Sequence, residues 1–311
     1  MVTIRFFFGD VPCVLCFLAV LTLLSCSEKP ASDPCCTFSD LPANAPDARD
    51  GMGLLQLEGS TSTYFYVLDE TGEQVGYESM NKSLALNADT YQVRVNNSLH
   101  AVEIREGQLA KCSTGTLIVT GNTTEYYYVM DSTNQQLGYE TLSRSMSFFP
   151  GVFKIKVNDT EMSAEVKLKE LTEIRTGSIL VKGTTNEYYY VLDDANKQLN
   201  YNSLENPLAF LPGTYEVKVN NTSMEADVIA GKVTELQTGT LRVNGLTEEY
   251  YYVTDTIGNA LNYQSLNKPL AFFPGDLNIK VNNTLMKGKV MPGQTTEFTT
   301  GSLRLTGGGT G

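Results

Sequence analysis

The sequence predicts an all-β protein built as a linear array of four small β-sandwich modules. A glycine recurs every 62 residues, at Gly53, Gly115, Gly177, Gly239 and Gly301. Aspartate and tyrosine recur with the same spacing, at Asp69, Asp131, Asp193 and Asp255, and at Tyr77, Tyr139, Tyr201 and Tyr263. No insertion or deletion breaks this register, and a fixed period of this length is typical of arrays of small structural units.

Each repeat consists of short segments rich in Val, Tyr, Ile and Thr, separated by Gly, Pro, Asn and Asp, which is the pattern of strands and turns. In the third repeat Tyr215, Val217 and Val219 alternate with charged residues. This alternation predicts a strand with one buried and one solvated face. Asn220 and Asn221 follow it and suit a tight hairpin, because Asn tolerates positive φ. We expect six or seven strands per repeat and no helix.

The first 25 residues have the three-part form of a secretory signal, with Arg5 followed by the apolar run Val11–Leu24 and then small residues. As a helix this run would be about 21 Å long, which is too short for a hydrocarbon core of roughly 30 Å. The pattern therefore predicts a cleaved signal peptide over 1–25.

The signal ends in Leu23-Leu24-Ser25-Cys26, which resembles the lipobox of bacterial lipoproteins. The resemblance implies cleavage before Cys26 and lipid attachment to it, and more than one acyl chain makes membrane attachment stable. Ser27 in place of Asp implies export to the outer membrane, facing either the periplasm or the exterior. The alternative is an ordinary signal peptide in which Cys26 has no role.

Residues 26–52 are rich in Ser, Pro, Ala and Asp without periodicity, which predicts a flexible tether. The predicted modules are 53–114, 115–176, 177–238 and 239–300, followed by an extra strand and a Gly-rich tail over 301–311. Five strands begin with the recurring glycine but only four module bodies lie between them. Either the Gly53 strand starts module 1 and the Gly301 strand is spare, or each body takes the strand that follows it. We favour the second arrangement, because it leaves no bare apolar edge at the end.

The pattern Leu-Pro-Gly-Thr-Tyr-x-Val-x-Val over Leu211–Val219, followed by Gly-x-x-Thr-Glu-Leu over Gly231–Leu236, resembles the PEGA-like and carboxypeptidase regulatory-like β-modules of bacteria. The counterparts in the other repeats extend the resemblance over residues 53–300. It implies small Ig-like/PEGA-like sandwiches and no particular activity.

The charge balance argues against several partner classes. The chain has 23 Lys and Arg against 35 Asp and Glu, a formal net charge of −12. Nucleic-acid binding depends on basic side chains that neutralise phosphates, so we expect no nucleic-acid partner. Docking onto anionic lipid through a basic patch is disfavoured for the same reason.

Catalytic residues are scarce, and we expect no enzyme, no cofactor and no metal. The single histidine, His100, occupies the repeat position filled elsewhere by methionine, at Met162, Met224 and Met286. A catalytic imidazole needs an orienting partner, and the repeat position indicates a structural role instead.

Three cysteines besides Cys26 lie outside the signal, at Cys35, Cys36 and Cys112. Cys112 aligns with Ile174, Leu236 and Phe298, so one interpretation is a buried thiol that acts as a small apolar residue. The other is a disulfide between Cys112 and either Cys35 or Cys36, which an oxidising compartment favours.

The most distinctive chemistry is the aromatic run Tyr126–Tyr128, with equivalents at 64–66, 188–190 and 250–252. In a strand, the first and third side chains share one face and the middle one takes the other. One interpretation is core packing. The other is a repeated aromatic platform for glycan or another strand, with Tyr127, Tyr189 and Tyr251 as candidates; module 1 has Phe65 at this position.

Two further motifs have turn chemistry. The recurring aspartate (Asp193 in module 3) follows the tyrosine strand and precedes polar residues, which predicts turn capping. The Asn-x-Ser/Thr motif near Asn96, Asn158, Asn220 and Asn282 is predicted to form a hairpin turn.

These features favour a non-enzymatic, lipid-anchored envelope protein that acts as a stalk or interaction scaffold. The first alternative is an array of carbohydrate-binding modules that uses the tyrosine strands. The second is a filament subunit, or homo-oligomer, in which the extra terminal strand of one chain completes the next by strand addition. The partners expected are the membrane, through the lipid, and a protein or glycan ligand.

Overall fold

A computed structural model describes residues 35–41 and 50–303. Module 1 has seven strands, and an eighth precedes it: β1 (Cys36–Asp40), β2 (Met52–Glu58), β3 (Tyr64–Leu68), β4 (Gln74–Ser79), β5 (Ser83–Asn87), β6 (Asp89–Val95), β7 (Ser98–Ile104) and β8 (Gln108–Ser113). They form two sheets, ordered β1-β8-β2-β5 and β4-β3-β6-β7. The predicted signal peptide and Cys26 lie outside the described residues.

Modules 2, 3 and 4 repeat the seven-strand pattern. Module 2 contains β9 (Gly115–Thr120), β10 (Tyr126–Met130), β11 (Gln136–Thr141), β12 (Ser145–Phe148), β13 (Gly151–Val157), β14 (Thr160–Val166) and β15 (Leu171–Arg175). Module 3 contains β16 (Gly177–Lys182), β17 (Tyr188–Leu192), β18 (Gln198–Ser203), β19 (Leu208–Phe210), β20 (Gly213–Val219), β21 (Thr222–Val228) and β22 (Val233–Gln237). Module 4 contains β23 (Gly239–Asn244), β24 (Tyr250–Thr254), β25 (Ala260–Ser265), β26 (Leu270–Phe272), β27 (Gly275–Val281), β28 (Thr284–Val290) and β29 (Thr295–Thr299).

Each of these modules pairs a three-stranded sheet with a four-stranded one, ordered β12-β9-β15 and β11-β10-β13-β14 in module 2. All pairs are antiparallel except the one between the first and last strands, such as β9 with β15, which is parallel. Residues Leu117 and Val119 of one sheet pack on Tyr127, Val129 and Ile155 of the other in one buried cluster. The all-β array of tandem Ig-like sandwiches that the sequence predicts is confirmed.

The favoured assignment of the glycine strands is wrong. Each glycine strand lies between two strands of the body that follows it in sequence, as β2 lies between β5 and β8, so it is the first strand of that module. Gly115 shows why glycine starts the strand: a Cβ there would overlap the carbonyl oxygen of Lys167, whereas Gly301 meets no such neighbour. Of the predicted extra strand, residues 301–303 are not in a strand, and 304–311 lie outside the described residues.

The predicted tether is also partly wrong. Cys36–Asp40 is a strand, paired antiparallel with β8 from Cys36 opposite Cys112 to Asp40 opposite Gln108. Of the rest of the predicted tether that the structure describes, residues 35, 41, 50 and 51 flank β1 and β2, and Met52 is the first residue of β2. A five-residue strand in a Pro-rich segment has too few residues to give a periodic signal, so its pairing comes from the exposed edge of β8.

The hairpin between β13 and β14 shows the predicted turn chemistry. Asn158 and Asp159 both have positive φ, 45° and 63°, and Asn220 and Asn221 repeat this at 46° and 61° in module 3. Two consecutive residues with positive φ match the type of turn whose twist suits a hairpin. The Asn-x-Ser/Thr motif is therefore a hairpin turn, as predicted.

Adjacent modules share apolar core residues. Phe149 of module 2 is 4% exposed and packs in the core cluster of module 1. Leu211 of module 3 packs in the core of module 2, and Phe273 of module 4 packs in the core of module 3. A small domain buries a limited fraction of its surface, so each of these residues completes a core that one module alone leaves open.

The same hairpin asparagines clamp the next module. The Asn158 amide donates to the carbonyl oxygen of Ala209 at 2.9 Å and to the Glu125 carboxylate at 3.1 Å. The Ala209 N–H donates to the same carboxylate at 3.0 Å, and the Leu211 N–H donates to the Thr160 hydroxyl at 3.2 Å. The equivalent contacts join modules 3 and 4 through Asn220, Glu187, Ala271, Thr222 and Phe273.

Candidate binding surface

The tyrosine strands β3, β10, β17 and β24 place one aromatic side chain in the core and two outside. In β10, Tyr127 is fully buried, whereas Tyr126 and Tyr128 are 48% and 36% exposed. Tyr127 is two residues from Val129, which is also buried, so both side chains point to the same face. The other modules repeat this arrangement.

The platform predicted at Tyr127, Tyr189 and Tyr251 is therefore wrong, because all three side chains are fully buried, as is Phe65. Their hydroxyls donate to carbonyl oxygens seventeen residues later, those of Arg144, Asn206 and Lys268, each at 2.8 Å. Burial raises the pKa of each of the three phenols well above its usual value. These tyrosines join the two sheets and cannot touch a ligand.

The outward-facing tyrosines cluster with a third one from the neighbouring strand. In module 2, Tyr139 of β11 lies 5.8 Å from Tyr126 and 5.9 Å from Tyr128, measured between ring centroids. The four clusters, here called the tyrosine triads, are Tyr64, Tyr66 and Tyr77; Tyr126, Tyr128 and Tyr139; Tyr188, Tyr190 and Tyr201; and Tyr250, Tyr252 and Tyr263.

A basic side chain extends each triad across the sheet. Tyr128 is directly opposite Lys156 of β13, and directly opposite residues have their side chains on the same face. The equivalents of Lys156 are Arg94, Lys218 and Lys280. Arg94 lies 5.0 Å from the centre of the Tyr66 ring. Each sheet that contains a tyrosine strand thus presents the row Tyr-Tyr-cation on its outer face, within a chain whose net charge is −12.

The cysteines are brought together at the start of module 1. Cys36 and Cys112 form a disulfide that links β1 to β8. Cys35 is buried in the same core cluster, and its carbonyl oxygen accepts a hydrogen bond from the Ser113 N–H at 2.9 Å. Cys112 is thus both a buried small side chain and a disulfide partner, and the disulfide fixes β1 to the module.

The other candidates have structural roles. The His100 ring stacks on Phe149 of module 2, with 4.9 Å between ring centroids, so it belongs to a module contact. The Asp193 carboxylate accepts from the N–H groups of Ala195 at 3.0 Å and Lys197 at 2.8 Å, which is the predicted turn capping. In residues 35–41 and 50–303 no group of three or more His, Cys, Asp and Glu side chains is arranged to hold a metal ion.

Equivalent aspartates in the other modules cap their turns through the same two N–H groups. In module 2 the Asp131 carboxylate accepts from Thr133 and Gln135 at 2.8 Å. The side-chain hydrogen bond from Thr133 is the main reason why the pKa of Asp131 lies below its usual value. These carboxylates are therefore occupied by their own turns.

Sequence reasoning missed the outward triads as binding candidates, although two signals indicated them. Module 1 replaces the middle tyrosine with Phe65, and a position that accepts Phe does not need a hydroxyl at the surface. The middle aromatic residue is also followed two residues later by valine in every module, as with Tyr189 and Val191. An unbroken apolar alternation marks the face that packs in the core.

No protein-family model matches the chain, and no curated protein matches it either. Among solved structures it is similar to the Bacillus anthracis TIE protein, with 12% identity and a TM-score of 0.20 over 88% of this chain and 75% of that one. It is also similar to BcpA, the major pilin subunit of Bacillus cereus, with 10% identity and a TM-score of 0.18 over 81% and 99%.

A third similarity is to the pilus adhesin SpaC of Lactobacillus rhamnosus GG, with 11% identity and a TM-score of 0.21 over 83% of this chain. The chain spans 44% of the length of that adhesin. TM-scores near 0.2 carry no argument about function. Within the described part of the chain, no helix has the length and the hydropathy needed to cross a membrane.

Proposed function

We propose that this chain is a non-enzymatic envelope protein, attached to the outer membrane by lipid at Cys26, that acts as an interaction scaffold of repeated β-modules. The observation that carries the proposal is the tyrosine triad with its adjacent cation, present on all four modules. Exposed aromatic rings give large contact area at low entropic cost.

Repetition supports a scaffold more than a single strong site. The outer tyrosines, such as Tyr139 and Tyr263, are 58% and 59% exposed in modules 2 and 4. The shared core residues and the asparagine clamps couple each module to the next. A ligand with repeating units could therefore engage several triads, and linkage of weak sites raises avidity by roughly 10² or more without new contacts.

Carbohydrate is the ligand class that the triads favour. A tyrosine face offers an apolar plane with a polar rim, and Lys156 or its equivalent adds a donor for hydroxyl or carboxylate groups. The chain has no tryptophan, so tyrosine would supply all of the stacking. The alternative ligand class for the scaffold is a protein that binds the same triads.

The triads are tested by replacing Tyr77, Tyr139, Tyr201 and Tyr263 together with serine in the full chain, and by titrating an N-acetylglucosamine tetramer and a galacturonic acid tetramer by NMR. The expected result is that the unaltered chain shows shift changes at the triad strands and that the variant binds at least tenfold more weakly. The matched control replaces the exposed Leu171, which lies in the sheet without a triad, and Ile257 with serine, and its binding is expected to be unchanged. Absence of binding to both probes would remove the carbohydrate proposal.

The anchor has its own test. Cys26→Ser is expected to move the protein from the membrane fraction to the soluble fraction of an expressing bacterium, because the acyl chains are attached at this residue. Cys35→Ser is the matched control and is expected to stay with the membrane. If the Cys26 variant remains in the membrane fraction, the lipid anchor is wrong.

A further inference from the structure

Among the described residues, module 1 alone has an additional strand at one sheet edge. The three-stranded sheets of modules 2, 3 and 4 end at β15, β22 and β29, whereas the corresponding sheet of module 1 continues past β8 to β1. Apart from this extra strand, the sheets have the same order and the same parallel pair. Module 1 therefore shows an occupied edge, and in the described residues the other modules show the same edge without a strand.

The contacts of β1 define what this edge accepts. Cys36 and Phe38 lie opposite Cys112 and Ala110, which are both buried, so the two side chains face the core. The Phe38 ring also lies 4.2 Å from the guanidinium of Arg105. An occupant of this edge is thus an extended, antiparallel segment with apolar side chains at alternate positions.

Of the three vacant edges, that of β22 in module 3 has the most exposed apolar side chain at the position of Arg105, since its equivalent in module 4, Met291, is 40% exposed. In module 3 the equivalent of Arg105 is Ile229, which is 51% exposed, and the first residue of the strand, Val233, is 44% exposed. An apolar side chain placed as Phe38 is in module 1 would cover Ile229. At β15 the equivalent of Ile229 is Lys167, and Arg175 stands where β22 has the uncharged Gln237. Both strands carry a paired glutamate, Glu173 and Glu235, so β15 has two more of the charges that protect edge strands.

The direction of the backbone groups follows from the same comparison. The Ser113 N–H of β8 donates outward to Cys35, whereas the Thr114 N–H donates inward to Glu58. Outward and inward groups alternate along a strand. In β22 the Thr238 N–H donates inward to Lys182, so the N–H groups of Val233, Glu235 and Gln237 point outward.

We propose that the outer edge of β22 is a strand-addition site for an extended segment of a partner polypeptide that carries apolar residues at alternate positions, as β1 does. Strand addition gains affinity from backbone hydrogen bonds and selectivity from alternate side chains. The site lies in the sheet that does not contain the tyrosine triads. It would give the protein a second kind of interaction, with peptide, independent of what the triads bind.

The test uses the full chain and a synthetic peptide of residues 34–42 in which both cysteines are replaced by valine. Amide hydrogen exchange is measured residue by residue with and without millimolar peptide. The expected result is exchange at least tenfold slower at Val233 and Glu235, with no change in the triad strands. Protection confined to β8 would mean that the peptide exchanges with β1 in module 1, and would overturn the proposal.

Two variants at one position isolate the edge. Glu235→Pro removes one outward N–H, and proline is tolerated on an edge strand where the N–H faces solvent; it is expected to abolish the protection. Glu235→Ala keeps the N–H but loses the ion pair with Lys182, which joins the two side chains at 2.7 Å, and is expected to retain the protection. Equal protection in both variants, or none in the unaltered chain, would show that β22 does not accept a strand.

Discussion

The buried tyrosines combine two functions in one side chain. The Tyr189 ring fills the core of module 3, and its single O–H donates to the carbonyl oxygen of Asn206 at 2.8 Å, with the carbonyl oxygen of Ile179 at 3.2 Å from the same hydroxyl. The Asn206 acceptor lies in the loop between β18 and β19, and the hydroxyl supplies a donor there, since buried backbone carbonyls are almost always paired. Module 1 has Phe65 at the equivalent position, so all four modules have an aromatic ring there and the hydroxyl is not essential to the fold.

Tyr189→Phe removes only this hydroxyl and leaves the ring in place. We expect a loss of about 1 kcal/mol in the free energy of unfolding, the usual net contribution of one hydrogen bond. Denaturant unfolding combined with hydrogen exchange of module 3 measures it. Tyr190→Phe is the matched control, because Tyr190 is 39% exposed, and it should leave stability within a few tenths of a kcal/mol. Equal effects of the two changes would contradict the structure.

At this scale the sequence predicts roles well where they are local. The aspartate turns and the Asn220-Asn221 hairpin depend on contacts within a few residues, so their chemistry can be derived from the motif alone. The outward face of the tyrosine run depends on which side of a strand meets a second sheet. Alternation restricts this to two choices, and the long-range packing of Tyr127 against Leu117 decides between them.

Strand β1 depends on a disulfide as well as on pairing. It contributes five residues to the sheet, and the Cys36–Cys112 bond closes a separation of 76 residues. A closed loop of this size restricts the unfolded chain by about 4 kcal/mol. The strand therefore remains attached to β8 although its own sequence has little strand character.

Cys36→Ser is expected to lower the free energy of unfolding of module 1 by about 4 kcal/mol. A reducing agent should have a similar effect on the unaltered chain and no further effect on the variant. Urea unfolding followed by exchange at β8 measures both. If reductant leaves the unaltered chain unchanged, the disulfide does not stabilise module 1.

The contact between modules 3 and 4 contains the carboxylate of Glu187, and burial there disfavours its charged form. Burial raises the pKa of Glu187 above its usual value of 4.5. Hydrogen bonds from the Ala271 N–H and the Asn220 amide lower this pKa, but the effect of burial is larger. Between the unfolded and the folded pKa, the folded state binds more protons than the unfolded one. The free energy of unfolding therefore falls as pH rises through this window.

Glu187→Gln keeps an oxygen that accepts both hydrogen bonds but removes the charge. We expect the variant to lose this part of the pH dependence, so that its stability relative to the unaltered chain increases as pH rises from 4.5 through the folded pKa. Urea midpoints measured from pH 4 to 8 test the sign. A variant that becomes relatively less stable as pH rises would show that the ionised carboxylate is favoured at this contact.

Over the whole molecule, what the sequence could not predict is the coupling between modules. The 62-residue repeat predicts four copies and their order, because periodicity is a property of the chain itself. It does not indicate that Phe149, Leu211 and Phe273 belong to the core of the preceding module, since the strand pattern of one repeat looks complete without them. The same holds for Asn158, whose turn is evident from the motif but whose amide donates across a module boundary.

This coupling predicts that a destabilising substitution in one module also destabilises the module before it. Phe273 is in the sequence of module 4, is 2% exposed, and packs in the core of module 3. Phe273→Ala removes a large buried side chain, and such a change typically lowers the free energy of unfolding by about 4 kcal/mol. We expect faster amide exchange in β20 of module 3 as well as in β26. Leu246→Ala, at a position in module 4 that is 90% exposed, is the control and should change neither. Faster exchange confined to module 4 would mean that the modules fold independently. The protein would then consist of four separate domains in series, which would contradict a scaffold of coupled units.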